Sequence, residues 1–76
     1  RLDPDDPLSN FWYGLRLARA GYVIRGTARI EHALQIDPML PNALRWRGNL
    51  LLMAGDAGAA EPYLRRARGA GRAFLP

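Results

Sequence analysis

The sequence predicts an all-α fold: four antiparallel helices arranged as two stacked helix-turn-helix hairpins, with no strand. Three observations predict it. The chain aligns with itself at an offset of 34 residues, giving nine identities over the 42 positions that can be paired. Roughly three would arise by chance in a composition this rich in Ala, Leu, Arg and Gly. The matches fall on residues that start, end or narrow a helix: Asp3-Pro4 on Asp37-Pro38, Pro7 on Pro41, Gly14 on Gly48, Ala20-Gly21 on Ala54-Gly55 and Ala33 on Ala67, with Trp12 on Trp46 and Leu17 on Leu51. Between the breakers, apolar residues recur at helical spacing rather than in strict alternation.

Residues 1–6 form an acidic, Pro-broken lead-in that reads as the end of a preceding repeat. Asp6-Pro7 is a helix start: Asp as N-cap, and Pro at the first helical position, where its missing N–H is no loss. The first helix then runs from Pro7 to about Ala20, with Tyr13, Leu17 and Ala20 on its inner face. Gly14 admits a close partner, and Gly21 ends the helix in a left-handed conformation. The second helix spans about Val23 to Ile36, with Gly26, Ile30, Ala33 and Leu34 inward. It stops before Pro38, because the residue ahead of a proline disfavours the helical region.

The third helix starts at Pro41. Leu44, Gly48 and Leu51 form one stripe, and Trp46, Leu50 and Met53 a second, as expected of a helix with neighbours on two sides. Gly55 ends it and Asp56 caps the fourth helix. In that helix an interior Pro62 would cost roughly 3 kcal/mol, so the regular part is expected to begin near Ala59 or Ala60. It should continue through Leu64 and Ala67 and end at Gly69 and Gly71. The units are therefore 7–40 and 41–76, the second with an irregular C-terminal end.

The residues Asn10, Tyr13-Gly14, Leu17, Gly26, Ile30 and Pro38, followed by Leu44, Arg47-Gly48, Leu51, Ala60, Leu64 and Ala67, stand where a 34-residue helical repeat places its signature positions. In this spacing the chain resembles the tetratricopeptide repeat (TPR) family over about nine tenths of its length. Asn10 and Arg47 depart from the family pattern, and the closing Pro is missing from the second unit. The resemblance implies a right-handed α-solenoid and a non-enzymatic scaffold or adaptor that binds a peptide or partner protein in a groove. That groove is lined by the first helix of each hairpin, here Leu8, Phe11, Leu15 and Ala18, then Asn42, Arg45, Asn49 and Leu52. In family members that grip a peptide's terminal carboxylate, a basic residue and an Asn occur at the spacing of Arg45 and Asn49. Two alternatives stay open: a TPR-like arm of a larger multidomain enzyme or regulator, and nucleic-acid binding through the arginines.

Composition narrows the chemistry. Seventy-six residues without Cys leave no disulfide and no thiolate metal site, and the lone His32 excludes a His pair. No catalytic residue, metal site or cofactor is expected: Ser9 has no base nearby, and Glu31 and Glu61 imply no cleft. No apolar run approaches the ~20 residues of a membrane span. All eleven basic residues are Arg, a bias that fits a GC-rich bacterial genome, and the net charge is +4. Arg25 and Arg29 are four apart on one helix, and Arg65, Arg66 and Arg68 cluster on another; a solvated helix face is the simplest reading of both. Phe11 and Trp12 are adjacent, so they cannot both be buried within the hairpin. About three repeats are needed to bury a solenoid's core, so the chain's ends are expected to be covered, by adjoining repeats, a second copy or another protein. Acids at the start and arginines at the end favour head-to-tail stacking of copies.

Overall fold

The structure is a computed structural model that describes residues 5–72, with side chains to residue 69. It contains four helices and, among the described residues, no strand: α1 (Pro7–Arg19), α2 (Val23–Ile36), α3 (Pro41–Met53) and α4 (Ala57–Arg72). The expectations for residues 1–4 and for the irregular C-terminal end beyond residue 72 lie outside the described residues.

Each boundary has a local cause. Asp6 caps α1 by accepting from the Leu8 N–H at 3.2 Å and from the Ser9 hydroxyl, and Pro7 occupies the first helical position. At the far end, the Tyr22 N–H reaches the Leu17 carbonyl at 2.9 Å and the Gly21 N–H the Ala18 carbonyl at 3.1 Å. This closure of the last turn requires a left-handed residue, and Gly21 supplies it at φ 102°. Thirty-four residues on, the same closure recurs. Asp56 N–H reaches the Leu51 carbonyl at 2.9 Å and Gly55 N–H the Leu52 carbonyl at 3.0 Å, with Gly55 at φ 85°. The α2–α3 turn is held differently: Asp37, extended ahead of Pro38, accepts from the Met39 N–H at 3.2 Å.

Within each hairpin the helices meet at glycine. A Cβ on Gly26 would lie 2.5 Å from the Gly14 carbonyl oxygen and 2.7 Å from the Ala18 nitrogen; one on Gly14 would lie 2.7 Å from the Gly26 oxygen and 2.9 Å from Ile30. Gly48 faces Leu64 at 2.7 Å and the Ala60 oxygen at 3.4 Å. Since Ala60 and Leu64 stand 34 residues beyond Gly26 and Ile30, the sequence repeat is a repeat of contacts in space.

The inner face of α1 differs from the expected one. Tyr13 and Ala20 are exposed and Leu17 is half-buried, whereas Asn10, Phe11, Gly14 and Leu15 are buried. The reason is that α1 has two neighbours: α2 takes the Asn10–Gly14 side, and α3 takes the Phe11–Leu15 side. Phe11, Leu15, Ile30, Ala33, Ala43 and Leu50 form one apolar cluster, with Ala18, Leu34, Leu40 and Trp46 around it. A smaller cluster joins Leu44 and Ala67, flanked by Leu34 and Tyr63. The expected inner residues of α2 are buried or half-buried. On α3 the expectation holds except at Met53, which is exposed.

The fourth helix also departs from expectation. It begins at Ala57, takes Pro62 into its interior, and runs past Gly69 and Gly71 to Arg72. Asp56 caps it through the Ala59 N–H at 3.1 Å. The first intrahelical bond, Ala60 to Asp56, forms at 3.1 Å, so Pro62 deprives only the Gly58 carbonyl of a partner. Gly58 and Pro62 are both exposed, and water can serve that carbonyl.

The two departures from the repeat pattern have a physical role. Asn10 is fully buried; its amide donates to the Asp6 carbonyl at 2.8 Å and its oxygen accepts from Arg29 at 3.3 Å. Arg29 in turn lies 5.4 Å over the Tyr13 ring. In the second hairpin Arg47 stands at the Tyr13 position and Tyr63 at the Arg29 position, and Arg47 lies 5.5 Å over the Tyr63 ring. The same cross-hairpin cation–π contact is kept with its partners exchanged. Arg47 also pairs with Glu31 of α2 at 2.9 Å, which ties the hairpins together.

Three outcomes are expected. Gly26→Ala, opposed by backbone on two sides, should lower stability by about 1–3 kcal/mol; Gly48→Ala, opposed mainly by the movable Leu64 side chain, should cost clearly less in urea melts. Tyr13→Arg and Arg29→Tyr should each destabilise alone, while the double exchange should recover about 0.5–1 kcal/mol of coupling; a purely additive double variant would refute the exchanged contact. The Ser9 hydroxyl, followed by the N–H groups of Leu8 and Ser9, holds the Asp6 carboxyl below its ordinary value of 3.8. A depressed carboxyl stabilises the fold above its unfolded pKa, and that stabilisation is lost as pH falls through the lower folded value. Between about pH 5 and pH 2, Asp6→Asn should therefore lose less stability than the parent chain.

Candidate functional site

The expected groove residues separate into two groups. Phe11 and Leu15, expected on an open wall, are 1% and 5% exposed. Helix α3 covers them, because Ala43 and Leu50 pack into the same cluster, so they give a ligand almost no surface. Leu8 is exposed and Ala18 half-buried. On α3, Asn42, Arg45 and Leu52 are exposed and Asn49 is half-buried. Their spacing of three, four and three residues keeps all four on one side of the helix. Phe11, Leu15 and Ala18 are the first-hairpin counterparts of Arg45, Asn49 and Leu52. Apolar residues thus occupy these positions where a helix follows, and mainly polar residues where the described chain places none over them.

The arginines divide in a way composition does not reveal. Arg25 lies 5.8 Å over Tyr22, Arg66 lies 5.3 Å over Tyr63, Arg29 and Arg47 take the exchanged rings, and Arg65 pairs with Glu61. The expected Arg25–Arg29 and Arg65–Arg66 groups are therefore spent largely on rings and an acid. Arg16, Arg19, Arg45 and Arg68 are exposed, and none pairs with a carboxylate among the described residues. His32 is half-buried on α2. Among the described residues no three His, Cys, Asp or Glu gather as a metal-ligand set, and no helix is long and apolar enough to cross a membrane.

Two shallow depressions lie away from the α3 wall. One of about 350 Å³ is lined by Trp12, Leu15, Arg16 and Arg19 on α1. The other, about 420 Å³, is lined by Gly21, Tyr22, Val23, Ile24 and Arg25 at the first hairpin turn. Sequence reasoning leaves one of Phe11 and Trp12 outside the hairpin but does not join Arg16 and Arg19 to that face. Its signal was nonetheless present: Trp12 matches Trp46, but the residue four further on is Arg16 where the second unit has Leu50. Of the adjacent aromatics, Phe11 is the buried one and Trp12 is 54% exposed.

Comparison of the chain with protein-family models, curated proteins and solved structures finds no match.

Proposed function

We propose that the chain is a segment of a right-handed, TPR-like α-solenoid, and that it acts without catalysis as a scaffold or adaptor for a peptide or partner protein. The recurrence of the glycine contact, the left-handed helix ends and the cross-hairpin ring contact at an offset of 34 residues supports the repeat reading. The observation that carries the binding role is the α3 wall. Arg45 and Asn49 project side by side, four residues apart, from positions whose counterparts in α1 are buried by the following helix. A guanidinium beside an amide suits a carboxylate, the first as a charged donor and the second as a neutral one. Asn42, Leu52 and Leu8 extend this surface for the rest of a peptide. A role as the arm of a larger enzyme or regulator would use the same surface to present a substrate. Fold analogy alone does not choose a partner, so the wall itself is the part to test.

With a peptide that binds the wall, Arg45→Ala should weaken a free C-terminus by about 1.5–3 kcal/mol, the range of a charged hydrogen bond. Amidation of the same peptide should weaken the parent chain similarly and the variant little. Equal titration curves for free and amidated peptides would reduce the site to a polar wall without a carboxylate clamp.

A further inference from the structure

The chain contains its own template for what covers the outer face of α1. In the second hairpin, α3 turns Ala43, Trp46 and Leu50 towards the first hairpin, whose contribution to the shared cluster is Phe11, Leu15, Ile30 and Ala33, with Ala18 and Leu34 beside them. The counterparts of Ala43, Trp46, Leu50 and Met53 on α1 are Ser9, Trp12, Arg16 and Arg19. Trp46 is half-buried in its place, but Trp12 is 54% exposed. Trp12, Arg16 and Arg19 border the depression of about 350 Å³. This face retains the aromatic centre of an inter-hairpin contact and replaces its aliphatic flank with two cations.

Within α1 itself the charges have one sign; the acids Asp5 and Asp6 lie ahead of the helix, and Asp6 is engaged as its cap. From Pro7 to Ile30 the chain has four arginines and no acid. Arg25 and Arg29 are turned to tyrosine rings, whereas Arg16 and Arg19 stand exposed beside Trp12. Exposed Trp and Arg together are the residue types on which interface energy concentrates.

We infer that the Trp12–Arg16–Arg19 face docks an acidic amphipathic helix of a partner protein, seating it as the first hairpin sits on α3, with an apolar stripe over Trp12 and carboxylates on Arg16 and Arg19. Charge argues against a second copy as the occupant. A copy stacked in the same way would present Arg45, Asn49, Leu52 and Arg68 where the first hairpin presents Phe11, Leu15, Ala18 and Leu34. Arginine would then oppose arginine, and like charges across an interface reject a partner. The inference does not rest on the α3 wall, which lies on the other side of the repeat.

The probe is a pair of synthetic helices that carry the Phe-x3-Leu-x2-Ala stripe of α1, flanked by Glu in one peptide and by Lys in the other, each with a fluorescent label. Anisotropy titrations against the 76-residue chain should show saturable binding of the Glu helix, weakened by salt, and at least tenfold weaker binding of the Lys helix. Arg16→Glu with Arg19→Glu should reverse that preference. Arg68→Glu, at the opposite end, should leave it unchanged. Arg16, Arg19 and Arg68 are all exposed, and helical circular dichroism of each variant checks that it folds. Equal binding of the two peptides, no saturable binding of the Glu helix, or loss through Arg68→Glu would overturn the inference. So would light scattering that finds a stable dimer of the chain broken by Trp12→Ser. Failure of the carboxylate-clamp test at Arg45 would leave this outcome untouched.

Discussion

Helices α1 and α2 approach so closely that a single added carbon at Gly14 or Gly26 would enter the other helix's backbone. Everything else in the first hairpin follows from that separation. It brings the Asn10 amide within reach of Arg29 and sets Arg29 over Tyr13. Ile30 and Ala33 can then reach the seam where Phe11 and Leu15 meet α3. The second hairpin relaxes the constraint: Gly48 meets a side chain first and Ala60 replaces the second glycine. At the crossing itself two glycines lose more backbone freedom on folding than one, and the tighter crossing gains the buried Asn10 network in return.

Most of this architecture is legible in the sequence because breakers act locally. Proline, glycine and an N-cap aspartate each impose a conformation on their own few residues, so the helix starts at Pro7 and Pro41 and the left-handed ends at Gly21 and Gly55 can be read without knowing any long-range contact. The inner face of α1 could not be read that way. Tyr13 and Phe11 are both aromatic, and periodicity alone does not say which neighbour a helix with two partners turns them to. Pro62 misled for a related reason. Part of its usual penalty is the carbonyl it leaves without a partner, and the exposed Gly58 turn leaves that carbonyl to water. For the candidate site, spacing sets Asn42, Arg45, Asn49 and Leu52 on one side of α3, but it could not tell that the counterparts Phe11 and Leu15 would be covered.

The two ends of the molecule carry different surfaces on the same scaffold. At the α1 face an exposed tryptophan is set among cations; at the α3 wall an arginine and an asparagine stand over a leucine. Interfaces that share an architecture are told apart by such substitutions: the scaffold sets the geometry, and charge decides what may approach. The first hairpin turn adds an asymmetry of its own. Tyr22 sits at the N-cap of α2 without a side-chain capping bond, where the second unit has Asp56 capping α4. The start of α2, like that of α3 at Leu40, is thus held by backbone bonds and by the helices packed on it.

The exchanged ring contact bears on how the helices find one another. Two hairpins of like length and pattern invite mispairing, in which the first helix of one closes on the second helix of the other, within a chain or between chains at high concentration. Were α1 to close on α4, Tyr13 would face Tyr63 and lose its cation, while Tyr63 would keep only Arg66 of its own helix. Were α3 to close on α2, Arg47 would face Arg29 across a half-buried seam and repel it. Only the native pairing gives each tyrosine a guanidinium from the facing helix. Because the partners are exchanged, the contact carries an address: similar hairpins share one fold, and each helix remains matched to its own partner.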